Sequence, residues 1–178
     1  MKRNEVFVVS AVMFVLVVFR IIMPEANFNP MGAIALMGAF LFKNRILAFA
    51  LPFAALFISD IVLATQTAAN FEYLFSVSFF FVYAAFALII GIGILLAKKP
   101  SLVNTFGSSL LAAGIFFLVS NFGSWLFFEM YPKNLEGLAA CMNAGIPFFR
   151  ATLISQIVFS VGIYLVYSFA TNRKLAIA

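Results

Sequence analysis

From Tyr73 to Leu96 the chain carries no formal charge, and comparable apolar stretches fill most of the remaining length. A bilayer selects for such runs, because an α-helix needs about 20 apolar residues to cross a hydrocarbon core about 30 Å thick. The alternative, a water-soluble domain, fails on composition. Only 10% of the residues are charged and 65% are hydrophobic, whereas a soluble domain carries about 25% charged residues. Mean hydropathy is +1.14. The expected fold class is all-α, a single polytopic membrane domain over residues 1–178.

Six candidate spans emerge: about 5–23, 29–42, 46–64, 73–96, 105–128 and 146–170. The second is short, rising only about 21 Å at 1.5 Å per residue, so a re-entrant segment competes with a crossing. Charge placement favours six crossings with both termini cytoplasmic. The inside segments would then be 1–4, 43–45, 97–104 and 171–178. They hold Lys2, Arg3, Lys43, Arg45, Lys98, Lys99, Arg173 and Lys174, eight of the eleven basic residues. The outer loops hold Glu25, Glu72, Glu129 and Glu136, with Lys133 as their one basic residue. Cytoplasmic loops of membrane proteins are enriched in Lys and Arg in this way. The net charge of +5 is thereby explained by topology, without nucleic acid. The apolar run from Val6 to Phe19 meets Arg20 and Pro24 rather than a small-x-small cleavage site, and is expected to be a retained first span. The bacterial cytoplasmic membrane is the expected location.

Functional classes narrow quickly. With no histidine and one cysteine, Cys141, zinc sites, Cys–His nucleophile pairs and disulfide frameworks drop out. Acid–base catalysis would rest on Asp60 alone, so an enzyme is not expected, and no cofactor is implied. "GIG" at Gly91–Gly93 lacks the strand–turn–helix setting of a nucleotide loop and is expected to serve helix packing.

Three charges remain inside the spans: Arg20, Asp60 and Arg150. A charge at a helix centre costs about 2.5–3.5 kcal/mol on insertion scales, so such residues face cavities or one another. With the alternating topology all three fall in the outer third of the membrane. Ser120, Asn121, Ser124 and Trp125 of the fifth span join them there. So do Asn27 and Asn29 of the first outer turn, and Tyr73, Ser76 and Ser78 of the fourth span. The inner halves are expected to be nearly bare of polar groups apart from Gln156. Spans two, four and six start at the outer face and aim their partial positive ends at it, with Pro30 and Pro147 at or near their first helical positions. Two arginines against one carboxylate make the expected field positive, which suits an anionic or zwitterionic small solute, with Trp125 packing on its apolar portion. Arg150→Ala is then expected to abolish binding. Within loop 129–145, Leu135, Leu138, Ala139 and Met142 follow helical spacing after a candidate Asn134 cap. The expected element is a short amphipathic helix on the outer surface, either an interfacial float or a lid. Gly32, Ala35 and Ala39 put small residues on one face of span two, available for packing in the bundle or against a partner.

"NFNPMGAIALMGAFLF", "LPFAALFISDIVL", "VSNFGSWL" and "YPKNLEGLAACMNAGIPFFR" together resemble an uncharacterised bacterial membrane-protein family, known as a domain of unknown function, over nearly the whole chain. Six spans in a short chain, a small-residue second span and the Ser59–Asp60 pair also resemble, more distantly, the S components of energy-coupling factor transporters. That resemblance implies vitamin-like solute capture at the outer face, with Arg20, Asn27, Asp60, Asn121, Trp125 and Arg150 as site candidates. It also implies Gly32, Ala35 and Ala39 as a docking face for a transmembrane coupling subunit working with ATPases. The competing expectation is an accessory or assembly subunit of a larger membrane complex, in which the polar cluster contacts another chain.

Overall fold

The computed structural model describes residues 3–23, 27–96 and 101–171, with only the backbone of Arg3 and Asn4. The basic residues Lys2, Lys98, Lys99, Arg173 and Lys174 and the acidic Glu25 lie outside the described residues, as does the side chain of Arg3. Among those described, every regular element is helical: α1 (Arg3–Ile22), α2 (Met31–Leu41), α3 (Arg45–Ala64), α4 (Ala68–Tyr73), α5 (Val77–Leu96), α6 (Leu102–Phe127) and α7 (Leu135–Ala170). Five of them, α1, α3, α5, α6 and α7, are long and apolar enough to cross a membrane. Their outer surfaces carry Phe7, Phe14, Ile46, Leu95 and Phe169 largely exposed, a surface that lipid accepts and water does not.

Polar side chains set the helix starts. Asn44 accepts from the Ile46 and Leu47 amides at 2.8 and 3.3 Å. Thr67, Ser101 and Asn134 cap α4, α6 and α7 in the same way, each satisfying an amide that lacks an intrahelical partner. Between α4 and α5 the chain reverses through Phe75 at φ 64°, so the expected fourth span is split and its long helix starts only at Val77.

α2 is the hub. It has 11 residues, a rise of about 16 Å, and touches α1, α3, α5, α6 and α7. Every residue of it except Gly32 is buried. The expected span over 29–42 is therefore realised as a core helix shorter than a crossing. Ringed by longer helices, it meets no lipid and escapes the length that lipid exposure demands. Its small residues work inward. Ala35 and Ala39 are each 2% exposed, and Gly32 faces Gln156 of α7. The Gly32, Ala35 and Ala39 face expected to dock a partner is covered within the chain itself, and this corrects the expectation. A Cβ on Gly93 would stand 2.6 Å from the Ala39 Cβ. Gly93→Val is therefore expected to lower the melting temperature in detergent by overpacking worth about 1–3 kcal/mol. Gly91→Ala, with open space around it, should leave it unchanged.

α7 is the second departure. Residues expected to form a surface helix and a separate span are one helix of 36 residues, about 54 Å long, with Pro147 in its interior rather than at its start. Proline removes one backbone bond and costs about 3 kcal/mol in a helix interior. Continuity survives because Gly137, Cys141 and Gly145 form a buried stripe at four-residue spacing, and the last two fit against α6: the Cys141 thiol meets the Asn121 carbonyl at 3.4 Å, and Gly145 lies against Phe117 and Asn121. The segment is thus the first part of α7, packed along α6, rather than a separate short helix.

At one end of the bundle α1, α3 and α6 finish while α2, α5 and α7 begin. Arg20 meets Asp60 there, Tyr83 meets Asp60, and Gly145 meets Asn121. Because α2 starts low, the flanking helices rise past it and leave a well above its N-terminus.

Candidate functional site

Three contiguous spaces fill that well, all bordered by Phe116 of α6. A charged lobe of about 210 Å³ is lined by Arg20, Asp60, Asn29, Asn70 and Tyr73 over Met31. An aromatic lobe of about 280 Å³ lies between α6 and α7, lined by Ser120, Asn121, Thr152, Phe117 and Phe149, with Asn27 at its edge. A crevice of about 40 Å³ joins them over Gly32, beside Gln156 and Ser155.

The charged lobe holds a compensated pair. The Arg20 guanidinium donates to Asp60 Oδ1 at 2.6 Å and to the Ser59 hydroxyl, which itself donates to the Leu56 carbonyl at 2.8 Å. Asp60 Oδ2 accepts from the Tyr83 hydroxyl at 2.9 Å. The carboxylate is almost fully buried, while the guanidinium keeps 15% of its side chain exposed and borders the cavity. Charge-assisted bonds of this kind are about twice as strong as neutral ones. The Tyr73 phenol borders the same lobe and offers it a hydroxyl donor. Beneath, the Met31 amide is satisfied by Asn29 Oδ1 at 3.1 Å, and the partial positive end of α2 points upward.

Of the residues expected at a site, Arg20, Asp60, Asn27 and Asn121 border this connected cavity. Trp125 and Arg150 do not line it. The Trp125 indole donates to the Pro132 carbonyl at 2.8 Å, and the Lys133 ammonium reaches the Trp125 and Phe128 carbonyls. Trp125 therefore fastens the turn after α6. Arg150 is exposed on α7, without a hydrogen bond or ion pair among the described residues. The cavity stripe of α7 is Gly145, Phe149, Thr152 and Gln156, and a residue one place past Phe149 is rotated about 100° away from it. Equal depth does not mean a shared face. The sequence reasoning missed Tyr83, Thr152, Ser155 and Phe116. Thr152 and Gln156 were recognisable as polar residues four apart, whereas Phe116 carries no signal among 25 phenylalanines.

The opposite end is also richer than expected. The cap residue Ser101, then Thr105, Ser108 and Ser109 of α6 and Ser168 of α7 are buried there. The Ser109 hydroxyl donates to the Thr105 carbonyl at 2.7 Å. A hydroxyl that bonds its own helix behaves as a small packing residue, so polar composition alone overstated the contrast between the ends. No cluster of three His, Cys, Asp or Glu side chains able to hold a metal occurs among the described residues.

Five apolar helices of crossing length define a multi-pass helical membrane protein. Residues 1–177 match the model of the family of unknown function DUF6580, and the chain belongs to that family. No curated protein and no solved structure matches it.

Proposed function

We propose that the chain is the substrate-binding membrane subunit of an uptake system for a small zwitterionic solute. One observation carries this: a polar well lined from α1, α3, α6 and α7 sits inside a bundle whose other buried surface is mostly apolar. Ligand sites favour apolar walls with a few convergent polar groups. A purely anionic solute fits less well than the sequence suggested, because Asp60 compensates Arg20 and Arg150 lies elsewhere. With α2 returning the chain through the bundle between α1 and α3, and both termini cytoplasmic, as the basic segments favour, the well would open to the outside of the bacterial cytoplasmic membrane. Energy would come from a partner, such as a transmembrane coupling subunit with ATPases.

The test is native mass spectrometry of protein in mild detergent, followed by extraction of bound small molecules. Wild type and Arg150→Ala are expected to carry the same solute, and Asn121→Leu to lose at least about nine-tenths of it, as removal of a part-buried hydrogen-bonding partner to a charged group implies. The exposed Arg150 on an apolar helix favours one second reading, the accessory subunit. A co-purifying polypeptide that is lost in Arg150→Ala, with an empty well, would replace the uptake reading by that one.

A further inference from the structure

The aromatic lobe has a hydrogen-bonding polarity that its composition does not reveal. Ser120 donates its hydroxyl proton to the Phe116 carbonyl at 2.7 Å, Ser124 donates to Ser120 at 3.1 Å, and Thr152 donates to Phe148 at 3.3 Å. The Asn121 amide nitrogen donates to the Phe117 carbonyl at 2.8 Å, which turns Oδ1 toward Gly145. Four polar side chains on two helices thus give a proton to backbone one turn behind them. The three hydroxyls keep only oxygen lone pairs for the space, while the second N–H of Asn121 and the Asn27 carboxamide at the edge are the donors that remain. Around them stand phenylalanine rings, among them Phe117 and Phe149 with centroids 4.8 Å apart. Ring faces carry partial negative charge and attract cations. No formally charged side chain lines this lobe. Lone pairs and ring faces both repel an anion and both welcome a compact N–H donor.

We infer that the aromatic lobe receives the primary ammonium, or similarly N–H-rich, end of the solute, while the charged lobe receives its acidic end. This rests on the solute-binding reading and deepens it. The acidic end would meet the exposed edge of Arg20, the Tyr73 hydroxyl and the positive end of α2. The crevice over Gly32 links the two. A quaternary ammonium cannot donate hydrogen bonds, so the lobe discriminates against it in spite of its charge.

The test uses the full-length protein in detergent and three probes of one shape: phenethylammonium, phenethyltrimethylammonium and phenylacetate, with affinity read by titration calorimetry. Phenethylammonium is expected to bind at least tenfold more tightly than either of the others. Asn121→Asp, which adds a carboxylate beside the acceptors, should tighten it about tenfold, and Thr152→Val should weaken it. Phenylacetate binding as well as the amine, a weaker amine in Asn121→Asp, or no binding by any probe would each overturn the assignment of this lobe. The uptake reading is judged separately by the extracted solute. A bound solute lacking N–H donors defeats the inference and leaves that reading standing, whereas an empty well with no probe bound defeats both.

Discussion

Asp60→Ala is expected to remove most of the folded protein from a detergent extract. The substitution leaves the Arg20 guanidinium facing Ser59 without its counter-ion and takes away the acceptor of the Tyr83 hydroxyl. Breaking one side of a buried pair costs about 3–5 kcal/mol, because the surviving charge is uncompensated, and that is a large share of the 5–15 kcal/mol that stabilises a typical domain. Arg20→Met with Asp60→Leu removes both charges and is expected to recover much of the fold, because well-packed apolar replacements of buried pairs are often neutral. The double variant should still fail to retain solute, since the donor at the acidic end is gone. Monodispersity on size-exclusion chromatography and the melting temperature read the first effect, and solute extraction reads the second. An Asp60→Ala protein as stable as wild type would mean that the pair does not hold α1 to α3.

Gly145→Val is expected to empty the aromatic lobe. A Cβ at that position would stand 2.5 Å from Asn121 Oδ1 and 2.9 Å from the Phe117 ring, closer than real contacts allow. Either α7 shifts away from α6, or Asn121 and Phe117 turn into the lobe. Both outcomes destroy the acceptor geometry, with a loss of affinity of at least about tenfold, the scale of one charge-assisted hydrogen bond of about 1.5–3 kcal/mol. Overpacking should add a stability cost of about 1–3 kcal/mol. Gly114→Ala, on α6 with open space beside it, is the matched control and should retain both stability and solute. If Gly145→Val kept its solute, the lobe between α6 and α7 would not be the binding space.

Much of the bundle was legible in the sequence, and the reason for the rest is specific to membranes. Spans one, three and five were recognisable because uninterrupted apolar length is itself the signal, and their bounds agree with α1, α3 and α6 to within about three residues. Depth put Arg20, Asp60 and Arg150 at one end, with Asn27 and Asn121, but it did not say which arginine pairs with Asp60, and the structure gives that place to Arg20. Which face a residue occupies was another matter. In a soluble protein the apolar stripe identifies the buried side, but lipid is as apolar as the core, so the stripe vanishes in α5 and α6. Only scattered polar residues retain a phase, and Arg150 was judged by depth without phase. The enclosure of α2 was hidden for the same cause: a helix apolar all round reads alike whether lipid or protein surrounds it. Pro147, expected at or near the first helical position of span six, suggested a helix start there, and only the fit of Gly145 against α6 shows why the helix continues through it.

The position of α2 has a consequence for biogenesis. It leaves the ribosome before α5, α6 and α7, which complete its enclosure. A nascent chain ending after α3 would hold a helix of 11 residues in a bilayer too thick for it, with its polar N-terminal turn at Asn29 inside the hydrocarbon. The late helices therefore act on the early one as an internal scaffold, and truncations before α7 should be cleared by membrane proteases rather than accumulate as half-built bundles.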